Sequence, residues 1–187
     1  KWIVNSHWHW DHWYGTETYT RAFPDVRVVS HERNRQLMAG PALEFNKPFI
    51  EQQLPAYIQS VEQRAAEKPE LKPLLEEDTA FFEAKRNVHL VLPNVTFSDR
   101  LTIELGERHI EVVNYGRGVT PGDTFVYLPT EKILLLGDLI VNPIPFALSG
   151  FPTEWPRVPE KVDALAHTTI VTGHGAPLHA TPDDIAK

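Results

Sequence analysis

The sequence predicts an α/β layered fold, and three observations lead there. Its first forty residues alternate strand, histidine-rich loop, helix, strand and helix, an order that favours layers over an all-β arrangement. From Val88 onward the pattern turns to β. In that half, two apolar strands each deliver an ionisable residue at their carboxyl end: Asp138 after Ile133-Leu134-Leu135-Leu136-Gly137, and His174 after Thr169-Ile170-Val171-Thr172-Gly173. With 187 residues, 42% of them apolar, the chain can bury one sizeable core, so a single domain over 1–187 is the expectation.

Charge and composition narrow the partners. A net charge of −7 without a long basic run argues against nucleic acid or an anionic membrane as the main target, and a small neutral or weakly polar substrate fits better. No apolar run approaches the roughly 20 residues that cross a bilayer. The absence of cysteine removes disulfides, thiolate ligands and a cysteine nucleophile together.

In chain order, Trp2-Ile3-Val4-Asn5 reads as a short buried strand running into Ser6-His7-Trp8-His9-Trp10-Asp11-His12, which places three imidazoles and a carboxylate within six consecutive positions. His7 and His9 are two apart, so both rings can leave the same side of an extended chain. Asp11 and His12 follow after one spacer and turn the other way, so one tight turn can serve two metal ions. Residues 15–23 read as a helix stopped before Pro24, residues 26–29 as a buried strand, and residues 31–38 as a helix ending at Gly40-Pro41. His31, just after a strand, is expected to be structural, with support of a metal ligand or helix capping as the other uses open to it.

Residues 41–87 change character and predict two helices, 49–67 and 71–85, with Pro55 in the first turns of one or kinking it. Ile50, Leu54, Tyr57, Ile58 and Val61 recur at helical spacing, a packing stripe. As a helical insertion the segment can alternatively form a lid. Residues 101–105 and 110–113 alternate apolar and polar around Gly106-Glu107, which predicts a hairpin; His89 and His109 are expected to be structural. The stretch Gly116-Arg117-Gly118-Val119-Thr120-Pro121-Gly122-Asp123 reads as a tight loop held by Asp123, followed by a strand over 124–128. Residues 141–155 read as an ordered loop at the mouth of a cleft, residues 157–166 as a helix and 169–172 as the last strand. Aromatic packing is the favoured use of Trp8, Trp10 and Trp13, and structural roles are favoured for His167 and His179.

Four of these stretches together resemble the metallo-β-lactamase superfamily of metallo-hydrolases. Residues 7–12 match its H-x-H-x-D-H signature. Residues 118–123 resemble G-H-T-x-G-D, with Val119 where the family places a ligating histidine. Gly137-Asp138 resembles the third motif and Gly173-His174-Gly175 the terminal G-H-G. The resemblance implies a four-layer αββα sandwich, with residues 41–87 inserted between its halves. The family's first strands have no counterpart here, so the chain is expected to be N-terminally incomplete; any signal peptide would lie upstream, and localisation stays open.

Carried over residue by residue, the resemblance gives His7 and His9 to metal 1, Asp11, His12 and His174 to metal 2, and Asp138 to both. Valine has no lone pair, so metal 1 keeps only three protein ligands. Zinc, one or two ions, is the implied cofactor, with iron or manganese as substitutes. The implied reaction is attack of a metal-bound hydroxide on an ester, thioester, lactone or amide (β-lactam-like) carbonyl, with His7, His9 and Asp11 in the catalytic set and Asp11 orienting the nucleophile. Asp138 stands where the β-lactamases proper carry cysteine or serine, which argues for the broader hydrolase group. Two other classes remain: a metal-binding but catalytically weak protein, on account of Val119, and an iron-containing redox relative on the same scaffold.

Overall fold

The computed structural model describes residues 1–141, 144, 146, 147 and 149–179. Two sheets face each other. The first holds three parallel strands in the order β1 (Trp2–Val4), β2 (Arg27–His31), β3 (Val95–Phe97). The second holds six: β4 (Arg100–Leu105), β5 (Arg108–Val113), β6 (Phe125–Leu128), β7 (Ile133–Gly137), β8 (Thr169–Thr172) and β9 (Leu178–His179). All its neighbours are antiparallel except β7 and β8. Their parallel pairing requires a crossover, and α6 (Arg157–Asp163) lies within it.

Strand periodicity builds the layers. Val112 on β5 and Val126 on β6 pack with Val29, Phe97 and Ile103 between the sheets, whereas their neighbours Val113, Phe125 and Tyr127 join Leu134, Leu136, Val158, Val162 and Ile170 under α6. Helix α1 (Thr16–Ala22) links β1 to β2, and α2 (Glu32–Met38) packs on β2 and β3 of the first sheet, with Met38 against Trp8 and Trp13. The result is the expected helix–sheet–sheet–helix sandwich. Leu135, read from sequence as part of a fully buried run, points between the sheets and is 37% exposed. It lines an apolar groove with Trp2, Val4, Ile103 and Val126, where three strands face six.

The predicted hairpin is present, turning at Gly106 with φ +64°. Three elements escaped the sequence reading. Residues 41–86 carry three α-helices, α3 (Pro41–Pro48), α4 (Leu54–Glu67) and α5 (Lys72–Arg86), rather than two. Gly40-Pro41 ends one helix and starts the next, because proline's missing N–H and fixed φ suit a first turn. Phe49–Gln53 widens into a π-turn in which Leu54 N–H reaches the Phe49 carbonyl, so Pro55 enters near the start of α4 without facing an i−4 partner. The strands β3 and β9 are too short to show a period. The final helix stops at Asp163, three residues early, and the predicted loop 141–155 lies in part outside the described residues.

The carboxyl ends of β7 and β8 meet at two glycines. Gly173 N–H donates to the Gly137 carbonyl at 2.8 Å, and a Cβ on Gly173 would stand 2.0 Å from Asp138 Oδ1 and 2.6 Å from the Gly137 carbonyl carbon. Gly137 has φ +53°, and a Cβ there would stand 2.7 Å from Ser6 Cβ. Gly173→Ala should therefore lower the unfolding free energy by about 1–3 kcal/mol through overpacking. Urea denaturation checks this, and an unchanged midpoint would contradict so close an approach.

Candidate metal centre

Backbone bonds set the histidine-rich loop in place. Asn5 N–H donates to the Val29 carbonyl at 2.9 Å, Thr124 N–H donates to the Ser6 carbonyl at 2.7 Å, and Trp13 Nε1–H closes the loop on the Trp8 carbonyl at 2.9 Å. Asn34, fully buried on α2, donates to the Gly122 carbonyl at 2.6 Å and to Ser30 Oγ at 2.9 Å. It thereby ties α2 to the loop ending at Asp123. Asp123 holds that loop as expected: Oδ2 accepts from Gly118 and Thr120 N–H at 2.9 and 3.0 Å, and Oδ1 from the Thr120 hydroxyl at 2.7 Å. Burial pushes its carboxyl up to about 6 against those bonds.

All six residues singled out in the sequence come together, as two groups of three: His7, His9 and Asp138, and Asp11, His12 and His174. Asp138 lies between them. Its Oδ2 is 3.7 Å from His7 Nε2, while its Oδ1 is 3.3 Å from His12 Nε2 and 3.6 Å from His174 Nε2. Asp11 Oδ2 is 3.1 Å from both His12 Nε2 and His174 Nε2. His7 and Asp138 are buried, whereas His174 is 55% exposed and faces the opening.

Burial, reinforced by the neighbouring His12 and His9, holds the His7 imidazole well below its usual range. Burial also lowers the His9 imidazole, against the pull of Asp11 and Asp138. For His12 burial also disfavours charge, yet its contacts with Asp11 and Asp138 override that and push it up to about 9. Asp11 shows the converse: burial opposes ionisation, and the close contact and charge of His12 hold its carboxyl below the ordinary carboxylate range.

The residues fit a cation. His7 Nε2, His12 Nε2 and Asp138 Oδ1 are buried without a hydrogen-bond partner among the described residues; their mutual contacts have ion-pair distances but lack hydrogen-bond geometry. Such convergent orphaned atoms are costly unless a positive charge satisfies them. Imidazole and carboxylate suit zinc, iron or manganese. Val119 is fully buried and brings no donor side chain, so the first group offers three donor side chains that could hold an ion.

The remaining histidines lie outside both groups. His31 caps α2, Nδ1 accepting from Arg33 N–H at 3.1 Å while Nε2–H donates to the Ser98 carbonyl at 2.8 Å. His89 pairs with Glu17 and His109 with Glu104 on the surface, and His167 bonds the Leu165 carbonyl. The His179 side chain lies outside the described residues.

Beside the centre opens a cleft of about 380 Å³, walled by Trp8, Trp10, Val141, Ile144 and Phe146, with His9, Asp11, Asp138 and His174 on its polar side. Trp13 only packs, as expected, whereas Trp8 and Trp10 both pack and line the cleft. Sequence reasoning gave no role to Ser6, Asn34, Lys85 or Ser149. Ser6 Oγ lies 3.1 Å from His7 Nδ1 and 3.4 Å from His12 Nδ1. Lys85 is 4% exposed, its Nζ 3.2 Å over the Trp10 ring and 4.5 Å from that of Phe49. Adjacency to the motif was a signal for Ser6; the other three had none.

Two imidazole–carboxylate groups that could hold metal ions, set at strand ends of an αββα sandwich, are the features of a metallo-hydrolase fold. Within that class the chain belongs to the metallo-β-lactamase superfamily, whose family model matches residues 1–174. Among solved structures it is similar to a metallo-β-lactamase from Pontibacter korlensis, at 23% identity and a TM-score of 0.61 over 95% of this chain and 62% of that one. A metallo-β-lactamase family protein from Thermus thermophilus aligns with 100% of this chain and 58% of its own at 17% identity and a TM-score of 0.63. The chain thus spans about 60% of the length of these structures. No curated protein matches it in sequence.

Val119 generates a direct test. Val119→His should raise zinc occupancy of the group His7, His9 and Asp138 and raise hydrolytic turnover with it, measured by equilibrium dialysis and initial rates. No change in either would contradict the reading that a ligand has been lost there.

Proposed function

We propose that the chain is a metal-dependent hydrolase that adds water to the carbonyl of a small, uncharged ester, thioester, lactone or amide. The observation that carries this reading is the position of Asp138, one carboxylate with an oxygen toward each of two donor groups, at the polar side of an apolar cleft. His7, His9 and Asp138 would hold one zinc ion and Asp11, His12 and His174 a second, with manganese or iron as substitutes. An ion bound there supplies a Lewis acid and brings the pKa of water down to about 7.

The chain's own residues do the rest. The Asp11 carboxylate, kept ionised by His12, would accept a hydrogen bond from the attacking water and orient its lone pair toward the carbonyl carbon. Trp8, Trp10, Ile144 and Phe146 take the apolar part of the substrate and exclude water around it. No Lys or Arg among the described residues lines the cleft, and the sequence from Leu139 to Thr153 carries no charge, so a substrate carboxylate finds no lysine or arginine partner among the described residues. The helices of 41–86 would act as a cover on the Trp10 side, where Lys85 caps the Trp10 ring and Phe81 lies 5.9 Å from it.

Val119 favours one second reading, a metal-binding protein with little turnover. A single experiment separates the two: metal-stripped protein is reloaded with zinc, manganese or iron and offered neutral esters, thioesters, lactones and lactams beside carboxylate-bearing analogues. Reloading should restore hydrolysis, with neutral substrates preferred by about tenfold or more, as expected where a charged group is desolvated unpaired. Stoichiometric metal without turnover would sink the hydrolase reading. Turnover confined to the iron form, with oxidised products, would replace it with redox chemistry.

A further inference from the structure

Ser149 belongs to none of the sequence motifs, yet it touches the centre. Its Oγ lies 2.8 Å from His9 Nε2 and 3.1 Å from the Val119 carbonyl oxygen. A carbonyl can only accept, so both contacts are hydrogen bonds only when the single hydroxyl proton of Ser149 goes to Val119. The serine oxygen is then left with lone pairs, and the short contact to His9 requires His9 to donate through Nε2–H. A histidine that binds a metal is neutral and carries one ring proton; with that proton on Nε2, the free lone pair is on Nδ1.

We propose that Ser149 is a positioning residue for the first donor group: its hydroxyl, anchored on the Val119 carbonyl, locks His9 in the Nε2–H tautomer and turns Nδ1 toward the ion shared with His7 and Asp138. The inference rests on the metal reading of the site given above. His7 is held the opposite way round, Nδ1 on Ser6 Oγ at 3.1 Å and Nε2 toward Asp138 at 3.7 Å. Each ring thus has a serine behind it. The anchor itself is fixed, since Phe151 N–H donates to the Gly118 carbonyl at 2.8 Å and Gly150 N–H to that of Ala147 at 3.0 Å, which clamps the segment carrying Ser149 against the Val119 loop. Val119 therefore serves the centre through its backbone, although its side chain offers no ligand.

The test reads tautomer and metal separately. Long-range proton–nitrogen correlation spectra of the metal-free protein should show His9 protonated at Nε2 and bare at Nδ1. Ser149→Ala should mix the two tautomers and weaken binding of one zinc ion by roughly 10–100-fold, leaving the other unaffected. Ser149→Thr, which keeps the hydroxyl, should restore both readouts, and unchanged melting of the alanine variant excludes a folding defect. A wild-type His9 protonated at Nδ1, or an alanine variant with an unaltered tautomer, would overturn the proposal. The expected tautomer in a protein that binds no zinc would support the Ser149–His9 pairing and overturn the metal reading.

Discussion

A carboxylate at the end of a buried strand is the constraint on which the centre depends. Asp138 is 4% exposed, and removing its charge from water costs several kcal/mol unless positive or hydrogen-bonding partners surround it. The surroundings are built for that. Gly173 has no side chain because one would collide with Asp138 Oδ1, and a side chain on Gly137, whose φ is positive, would collide with Ser6. His7 faces one carboxylate oxygen, and His12 and His174 face the other.

From this carboxylate the two sheets acquire distinct tasks. The first sheet ends in the loop that carries His7, His9, Asp11 and His12; the second delivers Asp138 and His174 from adjacent parallel strands. Thr124 N–H on the Ser6 carbonyl and Asn34 on the Gly122 carbonyl join the two halves close to the ligand atoms. A site divided between two sheets is held to a fixed geometry only if such cross-links exist. Ser149 extends the same logic to the one position where the usual side chain is missing, using a backbone carbonyl instead.

Legibility in the sequence followed distance along the chain. The set His7, His9, Asp11 and His12 was readable because its spacing is local, and Asp138 and His174 because an ionisable residue closing an apolar run needs a partner. Ser149 meets His9 across 140 residues and Asn34 meets Gly122 across 88, contacts that no window of sequence contains. The helix α3 was hidden by Gly40-Pro41, which stops one helix and starts the next with the same two residues. The short strand β3 owes its existence to parallel pairing with β2, a tertiary effect that three residues cannot announce. Lys85 reads as an ordinary surface cation on a helix until α5 packs it over Trp10.

The claim that one carboxylate serves both donor groups is tested most directly by the zinc stoichiometry of Asp138→Ala, measured by calorimetric titration beside the parent chain. Loss of tight binding at both groups, with the fold retained by circular dichroism, is the predicted result. Retention of the full parental stoichiometry and affinity would contradict it.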